Sequence, residues 1–346
     1  MRQAVSWVDE GGYWLVDAPE ASRHALTEAA FGSATLGPSF DLFVSERTKK
    51  ECDYLLDVLR RWFVDHDPPE HTAERRACRP RMTRAFLRRL EPDVTRAVIE
   101  VLDRLPGEVE AMRDIAHPVA AEVIGPALGL KGAKPEDLRR WSVDIARFVG
   151  AVYRPDHALA AERSVREMAQ FVEAALPADS VHGHRGSPDG SLREDVAART
   201  MMLFGGLETS ARLLGSLLHA AVTAETEPVD DALLVESTLR RFPPIKLVAR
   251  IARHDTEFYG ARIKAHQLVL ISLRSAPSPA APLLAFGAGR HLCLGAGLAT
   301  LEARVFLREF RARYPHARLS APGGTAETST NALYSGFEKL FLTLRP

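Results

Sequence analysis

The densest chemical signal is the run Phe286-Gly287-Ala288-Gly289-Arg290-His291-Leu292-Cys293-Leu294-Gly295. A sulfur that ligates a metal inside a flat macrocycle must be closely approached, so the backbone around it has to be tight and nearly free of side chains. Glycines at 287, 289 and 295 permit that approach and the positive φ angles a tight loop needs. Amide groups following the cysteine can hydrogen-bond the sulfur and tune its donor strength. The stretch after it keeps Leu298, Leu301, Val305 and Phe306 on one stripe, so a helix begins there, and its N-terminal dipole favours a thiolate. Other chemistries share parts of this pattern. A buried thiol can be inert. A phosphate loop would use Gly287 and Gly289, but its Lys-Ser/Thr ending is missing. A nucleophilic cysteine could draw activation from His291.

The full run resembles the heme-binding signature of the cytochromes P450 at every fixed position. The resemblance implies heme b (iron protoporphyrin IX), with Cys293 as iron ligand and Phe286, Gly287, Arg290, His291 and Gly295 in the cofactor loop. Four more segments resemble the family in the same chain order. Asp67-Pro68-Pro69-Glu70-His71-Thr72-Ala73-Glu74-Arg75 is similar to the start of its C helix, which implies that His71 and Arg75 hold a heme propionate. Residues four apart on a helix are neighbours, and both can donate to one carboxylate. Leu203-Phe204-Gly205-Gly206-Leu207-Glu208-Thr209-Ser210 is similar to the middle of the I helix. There Gly205 would border the oxygen groove, and Glu208 with Thr209 would relay protons. Phe242-Pro243-Pro244-Ile245-Lys246-Leu247-Val248-Ala249-Arg250 resembles the segment after the K helix, which implies Leu247 and Val248 in the substrate pocket and Arg250 on the other propionate. Tyr334-Ser335-Gly336-Phe337 resembles the last substrate-contacting turn, with Phe337 in the pocket.

Each segment also has an ordinary reading: a helix N-terminus, a helix terminator, or, for the paired glycines, a close helix–helix contact. Two glycines inside a helix cost roughly 1 kcal/mol each against alanine, so space beside the backbone is needed either way. The run Arg75, Arg76, Arg79, Arg81, Arg84, Arg88 and Arg89 lacks the interleaved aromatics of a nucleic-acid surface. It reads as a solvated helix face, or, by the resemblance, as a proximal surface for an acidic, ferredoxin-type electron donor.

The chain departs from the family in three places. It opens near the first strands, without the leading helix. The stretch before the I-helix segment is compressed, and Ser275-Ala276-Pro277-Ser278-Pro279-Ala280-Ala281-Pro282 runs almost directly into the cysteine loop where the family has a longer meander. The K-helix motif Glu-x-x-Arg is broken too: Arg240 fits the arginine, position 237 is Ser, and Glu236 is one residue off. At about 100° per residue Glu236 is expected to point elsewhere, so Glu236→Ala is expected to be mild. Concerted loss of the glutamate and the meander is easier to tolerate than loss of one partner, which would strand a buried charge.

These residues must be positioned by elements whose periodicity is mostly helical. Apolar spacing predicts helices over 49–64, 71–90, 93–104, 136–153, 158–176, 192–223, 230–241 and 296–314. Strand signals are confined to 11–18 and to a hairpin plus strand over 257–272. The Gly- and Ser-rich stretch 178–191 reads as a surface loop, and 276–282 as a connector. The expected fold is mainly α with a small β subregion, an abbreviated P450-like domain over 1–346. With 45 basic and 45 acidic residues, no global field draws the chain to nucleic acid or membrane. The apolar stretch 213–222 is too short to span a bilayer. Three scattered cysteines and no signal-like N-terminus imply a reducing, cytoplasmic setting.

By resemblance the function is a heme-thiolate monooxygenase that uses O2 and hydroxylates or couples a small or carrier-bound metabolite, as in specialised biosynthesis. The broken K-helix motif leaves room for peroxide-driven or redox-neutral chemistry on the same heme. A heme-free auxiliary subunit of a glycosyltransferase is a third reading; such relatives lose the cysteine signature, which this chain keeps.

Overall fold

The computed structural model describes residues 3–130, 132–175, 188–223, 230–320, 326–330 and 333–345. In chain order the elements begin with β1 (Val5–Val8), β2 (Tyr13–Val16), α1 (Pro19–Thr27), β3 (Phe31–Gly32), α2 (Leu36–Phe43), α3 (Glu46–Glu51), α4 (Asp53–Arg60), α5 (Glu70–Cys78) and α6 (Arg84–Leu102). Then come β4 (Glu108–Glu110), α7 (His117–Ala127), α8 (Pro135–Gly150), α9 (Pro155–Ala175), α10 (Pro188–Thr223) and α11 (Asp231–Arg241). The last part holds β5 (Leu247–Ala252), β6 (Thr256–Phe258), β7 (Ala261–Ile263), β8 (Leu268–Ser272), α12 (Ala296–Arg313), β9 (Arg318–Leu319), β10 (Ala326–Thr328) and β11 (Phe337–Thr343). The fold is mainly α with a small β region.

The chain forms two compact units. One comprises Met1–Ser33, Leu87–Val119 and Thr209–Pro346, the other Ala34–Phe86 and Ala120–Glu208. The first unit carries the strands. Its five-stranded sheet has the order β1-β2-β8-β5-β3, with β2 and β8 parallel and the other pairs antiparallel. Val16, Ala25, Phe31, Val269, Ile271 and Leu284 are part of its core, so the strand leading toward the cysteine loop is anchored by apolar burial. In the same unit β11 pairs with β10, β4 and β9. The second unit is helical. Phe40 stacks on Phe148 at 5.7 Å, and Trp62, packed on Phe204, also donates its indole N–H to Thr200.

Several elements differ from the periodicity reading. The break expected near Pro92 does not occur, because α6 runs through that proline. The chain breaks earlier, at a single 3₁₀ turn over Arg79–Met82, where the Thr83 hydroxyl accepts from the Phe86 amide and starts α6 afresh. Helices α1, α2 and α7 and strands β5 and β11 carry no sequence signal strong enough to mark them. Of the expected loop 178–191, residues 178–187 lie outside the described residues, and 188–191 form the first turn of α10.

Candidate functional site

The cysteine loop hangs between the end of the sheet and α12. Gly287 and Gly289 have φ of 71° and 68°. At Gly289 a Cβ would lie 3.0 Å from the Leu26 carbonyl oxygen and from Thr27, so any side chain would strain the backbone and strike the end of α1. The Cys293 amide donates to the Phe286 carbonyl at 2.8 Å and the Gly287 amide to the Leu284 carbonyl at 2.7 Å, closing the loop on itself. His291 Nε2 lies 2.8 Å from the hydroxyl of buried Ser33, which ties the loop to the end of β3. Ser33, 258 residues away in sequence, carries no sequence signal at all. Cys293 is exposed, whereas Cys52 and Cys78 are buried, with their thiols pushed up to about 11 chiefly by burial. Of the three sulfurs, then, only Cys293 is presented for ligation.

On α10 the two glycines have different jobs. A Cβ at Gly206 would fall 2.8 Å from Ile124, so that glycine allows close packing on α7. A Cβ at Gly205 would meet no atom within 4 Å, and the residue is exposed. Glu208 and Thr209 follow, both half-buried. The next residue, Ser210, hydrogen-bonds Glu302 of α12, a carboxyl fully buried and pushed up to about 7 by that burial against the opposing effect of the serine. One turn on, buried Arg212 donates to the Ser335 carbonyl and to Glu338, with Tyr334 under its guanidinium at 5.1 Å. The turn 334–337 is thereby clamped to α10. Neither Glu302 nor Arg212 belongs to a motif read from the sequence.

His71 and Arg75 sit one turn apart on α5, His71 buried with its ring edge-on to Phe63 at 5.9 Å, Arg75 half-buried. Arg250 is buried on β5, directly opposite Val269. Here one expectation needs correcting. Successive residues of a strand alternate faces, so Val248 shares Arg250's side while Leu247 points to the opposite one. The two cannot line one pocket side by side. Phe337 is buried, its ring stacked on His219 at 4.8 Å, and it serves the core more than an open pocket. Thr209, Leu247, Val248, Arg250, Phe337 and the whole cysteine loop belong to the first unit; His71, Arg75, Gly205 and Glu208 belong to the second.

On α11, Glu236, though one residue off the motif position, pairs with Arg240: its Oε1 accepts from Arg240 Nε at 3.0 Å and from a terminal nitrogen at 2.6 Å. Four residues bring the helix round to nearly the same face, which the one-residue offset from the motif conceals.

These residues fit heme b. The sulfur is exposed on a glycine loop, and a Cβ at Gly295 would stand only 4.0 Å from it. No protein-family model matches the chain. Among curated proteins it is 28% identical over 299 residues to a cytochrome P450 of Bacillus subtilis, covering 73% of this chain and 74% of that one. It is 27% identical over 322 residues to a steroid C26-monooxygenase of Mycobacterium tuberculosis, covering 82% and 86%. Among solved structures, the epothilone B-bound cytochrome P450epoK superposes with a TM-score of 0.82 at 20% identity, covering 99% of this chain and 94% of that one. The cysteine loop, the helical fold and these likenesses agree: the chain is similar in sequence and in fold to cytochromes P450, and its residues fit a heme b-dependent oxidoreductase.

Proposed function

We propose that the protein is a monooxygenase that hydroxylates or couples a small or carrier-bound metabolite, with Cys293 as the iron's ligand. The observation that carries this reading is the exposed Cys293 sulfur on a loop whose glycines adopt positive φ at the foot of α12. Heme b supplies the redox-active iron at which dioxygen chemistry takes place. His71 and Arg75, stacked one turn apart, would donate to one propionate, and Arg250 to the other. Phe286, Gly287, Arg290, His291 and Gly295 shape the loop around the sulfur. Thr209 would hold a proton at its hydroxyl, and Glu208 would exchange it with solvent. Val248, on Arg250's side of β5, would contact substrate. The exposed arginines 76, 79, 84, 88 and 89 would receive an acidic, ferredoxin-type donor. Among the described residues no helix is long and apolar enough to cross a membrane. A metabolite of specialised biosynthesis suits the reading, since relatives of one fold differ mainly in what their pockets admit.

A difference spectrum of the reduced, CO-treated protein tests it. A thiolate-type Soret band that Cys293→Ala abolishes is the expected result. A protein that stays colourless after hemin reconstitution, or an unchanged band in the variant, would refute the assignment.

A further inference from the structure

Of the seven arginines from Arg75 to Arg89, five are exposed, and Arg75 stands with His71. Arg81 is the remaining one, half-buried in the 3₁₀ turn between α5 and α6. Among the described residues its guanidinium has neither a hydrogen bond nor an ion pair. It faces a second arginine instead. Arg199 of α10 is only 5% exposed, and a terminal nitrogen of each guanidinium lies 3.1 Å from where a Cβ on Gly129 would stand. Gly129, with φ of 73°, closes the end of α7, so the space a side chain would fill is left to the two arginines. Arg199 is already engaged: it donates to Asp195 at 3.0 Å and to the Leu128 carbonyl. Asp195 is the one carboxylate that acts on Arg81 among the described residues. The carbonyl end of α7 adds only about half an elementary charge of negative character. Burial and the charge on Arg199 hold Arg81 below its ordinary range, and Asp195 does not offset them. Positive charge is in surplus here, and like charges kept from water are costly unless an anion joins them.

We propose that Arg81 and Arg199 form an oxyanion site beside Gly129 that takes a phosphate group, free or esterified. Two guanidinium forks arriving from different elements suit a tetrahedral anion, which offers several oxygens at once. Arg81 supplies most of the new contacts, because Arg199 keeps Asp195 and the Leu128 carbonyl. The site lies within the second unit and uses none of the residues assigned to heme or substrate. A phosphate bound there ties the turn between α5 and α6 to the end of α7 and to α10, so its binding registers as stability.

The test is calorimetric titration of the hemin-reconstituted chain with inorganic phosphate, with chloride at matched ionic strength as control and thermal melts alongside. Hemin occupies the propionate contacts proposed for His71 and Arg75, which would otherwise compete for the anion. Wild type should bind phosphate saturably, gain Tm from it, and give no such response to chloride. Arg81→Met, which keeps an apolar stem without the charge, should weaken phosphate binding about tenfold or more, as loss of a charge-assisted contact implies. In phosphate-free buffer the same variant should melt no lower than wild type, because the surplus charge is gone. Arg274→Met, at an exposed arginine of the other unit, should bind phosphate as wild type does. Equal phosphate affinity in wild type and Arg81→Met, or an equal loss in Arg274→Met, would overturn the proposal. So would a lower Tm of Arg81→Met in phosphate-free buffer, since Arg81 would then be held by partners within the protein. Titration with glycerol 3-phosphate separates the two sources: binding that depends on Arg81 admits an ester, and no binding restricts the site to the free ion.

Discussion

At the residue scale, burial decides which groups are chemically available. Cys52 and Cys78 are poor nucleophiles and poor ligands because desolvation holds their thiols protonated. Cys293, by contrast, stands exposed on its loop. Glu302 is the opposite case, a carboxyl enclosed between α12 and α10 whose Oε1 has no hydrogen-bond partner among the described residues. Its folded pKa of about 7 lies above the ordinary 4.5, so the native state binds a proton that the unfolded chain has already released. The carboxyl is neutral in both states below about pH 4, and stability falls as pH rises through the window from 4.5 to 7. Glu302→Gln should therefore match wild type near pH 4.5 and exceed it by about 3 kcal/mol at pH 8, from the pKa difference at about 1.4 kcal/mol per unit. Urea unfolding of the apo-protein at both pH values measures this. A gap that does not widen with pH would contradict the raised pKa.

At the scale of elements, α10 packs on one neighbour and leaves space on another side, and its two glycines separate those jobs. Gly206→Ala drives a methyl into Ile124 and is expected to cost about 1 kcal/mol or more of stability, as overpacking does. Gly205→Ala meets no protein atom, so the apo-protein should gain up to about 1 kcal/mol of helix stability. If Gly205 borders the cofactor's distal side, the same methyl should weaken binding of azole ligands to the reconstituted protein. Thermal melts and azole titrations of the two variants check both signs; a destabilising Gly205→Ala would show that the helix is packed there. The Arg212 clamp belongs at this scale too, because it joins α10 to the turn before β11 through a carbonyl, a carboxylate and a ring at once.

For the whole molecule, a formal charge of zero conceals local asymmetry. The arginines of α5 and α6 are concentrated in one stretch of sequence, and five of them are exposed. On the proposal that an acidic electron donor docks on these arginines, electron transfer from it should slow severalfold as ionic strength rises from about 0.05 to about 0.3 M, with the Debye length shrinking well below about 10 Å. Arg76→Glu with Arg79→Glu should flatten the salt dependence measured by stopped flow. An unchanged slope would place the donor elsewhere.

Local chemistry is legible in the residue string because it depends on short spacings. The glycines around Cys293, the four-residue step from His71 to Arg75 and the adjacency of Glu208 and Thr209 need only a loop or a helix to have meaning, and the long helices announce themselves by apolar period. What the string does not show are relations that chain separation hides or that the strand pleat sets. Ser33 reaches His291, Glu302 meets Ser210, Arg212 holds the turn at Ser335, and Leu247 parts from Val248 because β5 is a strand. The Glu236–Arg240 pair eludes a sequence reading for a related reason: a motif is compared by position, while the guanidinium is satisfied by whichever acceptors the fold brings within its reach. By itself, then, the sequence marked Cys293 in its glycine loop, the adjacency of Glu208 and Thr209 and the helical framework, since these follow from residue type and period. Only the tertiary structure decided which partners steady them, because hydrogen bonds and burial act between atoms that are close in space, however far apart along the chain.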